Sequence, residues 1–231
     1  MKIKAIFFDL DDTLHDHLKP FNQALKDVFL EVNKSIDIED AYKKFREASD
    51  ELWEAYSDNR LSLEKMRIER IILALKRLGI LITVEDAMRF QDQYEERLKE
   101  LELFPEVPEL LNALKRKGYT IGIITNGPIK HQWNKIYKLR LTDFFQKELI
   151  FVSDEIGTAK PEPEIFEEAA RRTKCLSHEM LYIGDSWTND VVGPARAGWK
   201  SIWFNHRHRK PITNYKPLGE VNSLEEILLL L

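Results

Sequence analysis

Apolar positions along the first hundred residues recur with a helical period. Phe21, Ala24, Leu25, Val28, Phe29 and Val32 fall at i, i+3, i+4, i+7, i+8 and i+11, which places them on one face of an α-helix. The same spacing returns in Ile38, Ala41, Tyr42, Phe45, Ala48 and Leu52, and in Ile68, Ile71, Ile72, Leu75 and Leu78. Val84, Ala87, Met88, Gln91, Tyr94 and Leu98 repeat it with one polar member. Four helices are predicted, enough for a small bundle. Ser62–Lys65 and Thr83–Asp86 carry helix-start chemistry, a hydroxyl cap followed by acids. Beyond this block the period changes. Short apolar runs at Lys4–Phe8, Thr120–Ile124, Leu149–Val152, Leu181–Ile183 and Ser201–Phe204 read as strands. Helical patterns at Glu106–Lys117, Glu162–Thr173, Asp190–Ala197 and Leu224–Leu231 alternate with them. That alternation predicts a mainly parallel sheet covered on both faces, an α/β core.

Glycine and proline mark the boundary between the two regimes. Between Pro20 and Pro105 there is one glycine, Gly79, whereas the other eight glycines and eight of the nine prolines lie from Pro105 onward. The simplest organisation is a core formed by residues 1–16 and 104–231, interrupted after its first strand by an all-helical insertion at 17–103.

Composition narrows the function. The chain has 231 residues, 43% hydrophobic and 32% charged, with 35 Lys+Arg against 39 Asp+Glu. It has the composition of a globular protein, and its net charge of -4 argues against attachment to nucleic acid or an anionic membrane through the overall field. The single cysteine, Cys175, excludes an internal disulfide framework and fits a reducing cytosol. No apolar stretch approaches the ~18 residues of a membrane span, and Asp9 comes too early for a signal peptide. A cytoplasmic protein is expected. Nucleotide-triphosphate and dinucleotide glycine fingerprints are absent.

In an open parallel sheet, ligands gather beyond the carboxyl ends of the strands. The residues found there are Asp9-Leu10-Asp11-Asp12-Thr13, then Thr125-Asn126-Gly127, then Lys160-Pro161, then the run Gly184–Asp190 with Asp185 and Asp190. Crowded carboxylates repel unless a cation joins them. Oxygen-only donors select a hard ion, Mg²⁺ by default. A lysine and a hydroxyl beside it complement an anion with tetrahedral oxygens. Two acids at i, i+2 can divide nucleophilic and proton-transfer work.

These segments resemble the four motifs of the haloacid-dehalogenase-like (HAD) superfamily. The DxDxT motif is Asp9–Thr13, the strand ending in Thr is Ile123–Thr125, the third motif is Lys160-Pro161, and GDxxxxD is Gly184–Asp190. The resemblance spans essentially the whole chain. It implies a Rossmann-like core, and the insertion resembles a C1-type helical cap, which opens to admit substrate and closes to exclude water. It further implies that Asp9 attacks phosphorus and Asp11 shuttles protons. Asp9, the Asp11 carbonyl and Asp185 would hold Mg²⁺, and Thr125 and the Asn126 backbone would bind phosphate oxygens. Lys160 would neutralise charge, Asp190 would orient Lys160 or the metal's hydration, and Thr13 would fix the turn. The implied activity is hydrolysis of a small phosphorylated metabolite of nucleotide or sugar-phosphate type. Details such as Leu52–Tyr56 look closest to the subgroups of 5′-nucleotidases and N-acylneuraminate-9-phosphatases. A dehalogenase, a phosphosugar mutase and a non-catalytic binding protein are the alternatives. Asp11 weighs against the first, because an alkyl halide needs no proton on its leaving group. A monomer or homodimer is expected. Asp12 reads as a turn residue, Asp154 as solvated, Asn189 as a helix cap, His15 and His17 as surface or gate residues, and His206–Lys210 as a solvated basic loop.

Overall fold

The computed structural model describes residues 2–231. The chain divides into two compact units, one holding the residues through Asp16 together with Glu102–Leu231, the other His17–Leu101.

The first unit is built on a six-stranded parallel sheet. Its strands are β1 (Ala5–Phe8), β2 (Thr120–Thr125), β3 (Ile150–Val152), β4 (Met180–Gly184), β5 (Lys200–Phe204) and β6 (Gly219–Val221). They lie in the order β3-β2-β1-β4-β5-β6. β1 therefore sits between β2 and β4, with Phe8 level with Ile123 on one side and Ile183 on the other. This register brings Asp9, Thr125 and Asp185 to one edge. The sixth strand was not expected: Gly219-Glu220-Val221 has no apolar run, and only its ladder to β5 defines it.

The α-helices described in this unit are numbered from six, after those of the second unit: α6 (Val107–Arg116), α7 (Ile129–Lys138), α8 (Ser153–Ile156), α9 (Pro163–Thr173), α10 (Gly193–Arg196) and α11 (Ile227–Leu230), with a π-helical turn at Trp187–Val192 and short 3-10 turns between them. The expected helix at Asp190–Ala197 is thus split between the π-turn and α10. α7 had no predicted counterpart, because its buried face carries Gln132 and Lys135 beside Ile136 and so lacks the apolar period.

One sheet face packs through aromatic rings. Phe7 meets Phe151 and Trp199 at centroid distances of 5.8 and 5.6 Å, and Phe166 meets Trp199 at 5.4 Å. Each such buried ring contributes roughly 1.5–3 kcal/mol by area, and edge-on contacts add about 0.5–1.5 kcal/mol.

The second unit contains α1 (Leu18–Val28), α2 (Leu30–Ser35), α3 (Ile38–Ser57), α4 (Leu63–Lys76) and α5 (Val84–Arg97). Five helices replace the predicted four, since the first is broken at Phe29, where the backbone turns to φ -131° and ψ 54°. No glycine or proline marks that break. The caps act as their chemistry predicts. Ser62 accepts the Lys65 amide at 3.2 Å, and Thr83 with Asp86 forms a reciprocal capping box. Phe21, Tyr42, Phe45, Ile71, Leu75, Phe90 and Tyr94 form the bundle's core. Among the described residues, no helix is long and apolar enough to cross a membrane.

Gly122 fixes how closely β2 approaches its neighbours. A Cβ there would lie 2.1 Å from Phe7 Cε1 and 2.6 Å from the Leu149 carbonyl oxygen. Gly122→Ala is expected to lower the unfolding free energy by roughly 1–3 kcal/mol, the cost of overpacking a filled core, measurable as a shifted denaturant midpoint.

Candidate active site

The chain leaves β1 at Phe8 and turns at once. The Asp9 amide still donates to the Ile183 carbonyl at 2.9 Å, and Leu14 closes the turn onto Leu10 at 3.0 Å. Asp12 takes a left-handed φ of 62° within it, and Thr13 is fully buried. The turn keeps both Asp9 and Asp11 inside the protein, although each is an acid.

At the far end of β4, Gly184 lets the following loop fold back. A Cβ on it would lie 2.4 Å from the Asp190 carboxylate. Asp190 is thereby laid over the strand end, where its Oδ2 accepts the Ser186 amide at 2.9 Å. Ser186, not Asn189, caps this turn: its hydroxyl accepts the Asn189 amide at 3.4 Å.

Oxygen atoms of Asp9, Asp185 and Asp190 all lie within 4.8 Å of one another, and all three residues are buried. Lys160 answers part of this charge. Its Nζ donates to Asp9 Oδ1 at 2.8 Å, Asp190 Oδ1 at 2.7 Å and the Tyr182 hydroxyl at 2.8 Å, using all three ammonium protons. The Tyr182 hydroxyl in turn donates a hydrogen bond to the Ile124 carbonyl at 2.6 Å. Asn126 grips the lysine's backbone from both sides, donating to the Lys160 carbonyl at 2.8 Å and accepting its amide at 2.9 Å. Burial acts to lower the Lys160 pKa, but Asp190 and Asp9 outweigh it and hold the ammonium raised.

Lys160 reaches Asp9 and Asp190, Arg209 reaches Asp185 at 3.0 Å, and these two cations do not balance three carboxylates. Burial, then Asp12, Asp190 and Asp9, push the Asp185 carboxyl well above the usual range against the pull of Arg209. Burial raises Asp190 to about 6, with Asp9 adding to it and Lys160 opposing. The donor set is all oxygen, pre-gathered and short of positive charge. Such a set fits a hard divalent cation such as Mg²⁺.

Asp11 stands among other partners. Its carboxylate receives Lys135 Nζ at 2.6 and 2.5 Å, the His15 Nε2–H at 2.9 Å and Gln132 Nε2 at 3.4 Å. Gln132 also donates to Thr125 Oγ1 at 2.5 Å and to the Asn126 carbonyl at 2.8 Å. Neither Gln132 nor Lys135 was singled out in the sequence. The signal available was two polar residues at i, i+3 where a buried helix face would otherwise be apolar. Asp154, expected to be solvated, anchors the start of this helix, accepting the Ile129 amide at 3.1 Å.

Three further expectations are corrected. His15 and His17 are not surface residues but 0% and 5% exposed. His17 belongs to the helical unit, where its Nδ1 accepts from Arg46 at 3.1 Å and its Nε2 meets the Tyr94 hydroxyl at 2.8 Å. The His206–Lys210 run is not simply a solvated loop. Arg207 is buried against Asp12 at 2.8 Å and Asp16 at 2.9 Å, and Arg209 donates to Asp185 Oδ2 at 3.0 Å. The acids of the β1 and β4 loops draw in these arginines, and Asn205 holds the loop by bonding the Arg209 backbone at 2.9 and 2.7 Å.

The family model for haloacid dehalogenase-like hydrolases matches residues 6–204, and the chain belongs to that family. Glyceraldehyde 3-phosphate phosphatase of Methanothermobacter thermautotrophicus is 33% identical over 206 residues, covering 88% of this chain and 86% of the relative. Pyrimidine 5′-nucleotidase of Escherichia coli is 29% identical, covering 98% and 97%. The magnesium-bound crystal structure of the HAD hydrolase YfnB from Bacillus subtilis superposes with a TM-score of 0.73 at 26% identity, covering 100% and 99%.

His206 gives the edge a pH dependence. Its Nε2–H donates to the Asp12 carbonyl at 3.0 Å, and burial with Arg207 nearby lowers its pKa from 6.5 to about 4. Between those values the unfolded chain binds more protons than the folded one, so stability falls as pH falls. Relative to His206→Gln, the wild type is expected to lose up to about 3 kcal/mol of unfolding free energy from pH 7 to pH 4. Parallel denaturant titrations across that range measure the difference.

Proposed function

We propose that this protein is a Mg²⁺-dependent phosphatase of small phosphomonoesters, working through an aspartyl-phosphate on Asp9. The observation that carries the reading is the buried Asp9 carboxylate at the end of the central strand, fixed at one oxygen by Lys160 and gathered with Asp185 and Asp190. Family membership and relatives named for phosphatase and nucleotidase activities support it.

Asp9 attacks phosphorus in line, and the phosphorus–ester oxygen bond breaks. Asp11, in its protonated form rather than as the ion-paired carboxylate of the free site, gives its proton to the departing oxygen. Water then attacks the phosphorus of the aspartyl-phosphate and loses a proton to Asp11, and the bond to Asp9 breaks to release phosphate. The sum is ester plus water to alcohol plus phosphate, with both acids restored. Thr125 offers its hydroxyl proton to a phosphate oxygen, since its Oγ1 already accepts from Gln132. The Asn126 backbone offers a second donor. Lys160 neutralises charge that grows on the transferring group. Asp9, Asp185 and the Asp11 carbonyl would hold Mg²⁺, which supplies Lewis-acid charge to the phosphoryl oxygens. Asp190 keeps Lys160 aimed. The substrate class that fits is a triose-phosphate or nucleoside-monophosphate type ester, the chemistry named for the relatives.

Turnover of p-nitrophenyl phosphate with Mg²⁺ is expected to vanish with EDTA and return on adding Mg²⁺. Asp9→Asn should lose at least about 10³-fold in kcat while keeping its cooperative melt. Activity near wild type in that variant would reject Asp9 as the nucleophile. Asp185→Asn should raise the Mg²⁺ concentration for half-maximal activity at least about tenfold, as removal of a ligating charge requires. A panel of sugar phosphates, nucleoside monophosphates and phosphoglycolate then ranks the substrates.

A further inference from the structure

We propose that Lys135 is the positioning residue for the Asp11 acid–base carboxylate, and that Gln132 ties that carboxylate to the phosphate-binding Thr125. The inference rests on the phosphatase reading, which gives Asp11 its proton-transfer work.

Lys135 and Gln132 share one face of α7 with Ile136, and the two polar residues are only 4% and 1% exposed. An apolar side chain at 135 would fill that face with no charge to desolvate. A buried ion pair adds little stability over well-packed apolar residues of similar volume, so folding alone is a weak account of a lysine there. Its geometry points to another reason. The ammonium bonds both Asp11 oxygens, while His15 bonds Oδ1 from the turn itself. A carboxylate held at both oxygens cannot rotate freely about its terminal bond. Proton transfer to an ester oxygen needs that aim, because small displacements of a reacting group cost large factors in rate.

Gln132 extends the constraint. One amide group reaches Thr125 Oγ1, the Asn126 carbonyl and, at its longest, Asp11 Oδ2. Gly127 adjoins it so closely that a Cβ would lie 3.0 Å from the Gln132 side chain. The helix therefore sets the separation between the groups that receive the phosphate and the group that protonates the leaving oxygen.

The test uses leaving-group chemistry. A p-nitrophenolate leaves without a proton, whereas an alkoxide needs one, and kcat/KM reports only through the first bond cleavage. Lys135→Met should lower kcat/KM about 10²-fold on the fastest alkyl phosphate of the substrate screen, the size of a lost acid, and less than about 5-fold on p-nitrophenyl phosphate. In an Asp11→Asn background the same change should add less than about 3-fold on the alkyl ester, because the group it positions is already disabled. Lys135→Arg, which keeps the charge, should recover at least about tenfold over Lys135→Met on that ester. Equal losses on both esters, or a full additional loss in the Asp11→Asn background, would overturn the proposal and assign Lys135 to phosphate binding or to folding. Should Lys135→Met lack a cooperative melt, the comparison of Asp11→Asn with the double variant decides, since no unpaired carboxylate remains there. Failure of the phosphatase reading shows earlier and separately, as a wild type that turns over neither ester or an Asp11→Asn variant unimpaired on the alkyl one, and it removes this inference too.

Discussion

Three carboxylates buried within a few ångströms of one another would drive the chain apart at this edge, and the Lys160 ammonium holds two of them while Arg209 holds the third, Asp185. Lys160 spends each of its protons on a different acceptor, two of them acids and the third a tyrosine. Removing water from such a group costs several kcal/mol per charge unless partners replace it, so the surrounding structure is organised to keep those partners in place. Asn126 locks the lysine's backbone, Tyr182 is braced on β2, and Gly184 makes room for Asp190. The remaining imbalance is visible in the raised carboxyl groups of Asp185 and Asp190. An all-oxygen set in that state fits the divalent cation of the proposed reaction.

The sheet makes this arrangement possible. A parallel sheet sends every strand out at the same edge, and the order with β1 in the middle places the first acid between the threonine of β2 and the acids after β4. Helix α7 then adds a second polar centre beside the first. There the charges pair one to one, Lys135 with Asp11, and the geometry is tight without calling for further positive charge. The two neighbouring acids of one turn thus meet different electrostatic surroundings. The proposed roles follow that difference, a nucleophile in the first environment and a proton carrier in the second, the separation that paired catalytic acids need.

The loop after β5 supplies a third layer. Arg207 and Arg209 reach the turn acids and Asp185, and Asn205 fastens the loop that bears them. Basic residues in a run are ordinarily solvated; these are drawn inward because Asp12, Asp16 and Asp185 offer partners that water would otherwise have to replace.

Sequence alone determined the first five strands, the helical block between Pro20 and Pro105, and the acids, threonine and lysine at the strand ends. Those features depend on local period, on glycine and proline as breakers, and on the rule that ligands collect at carboxyl edges. It also carried the resemblance to the family to which the chain belongs. The break at Phe29, the short strand β6 and helix α7 were decided by tertiary structure. No breaker residue marks the first, no apolar run marks the second, and in the third a buried glutamine and lysine stand where the helical period calls for apolar side chains. A polar side chain becomes a core residue only when its partner is present, and the side-chain bonds of Gln132, Lys135, Arg207 and Arg209 reach partners 6 to 195 positions away in the chain. Local pattern cannot register a pairing of that range; the folded sheet, which brings the distant loops to one edge, creates it.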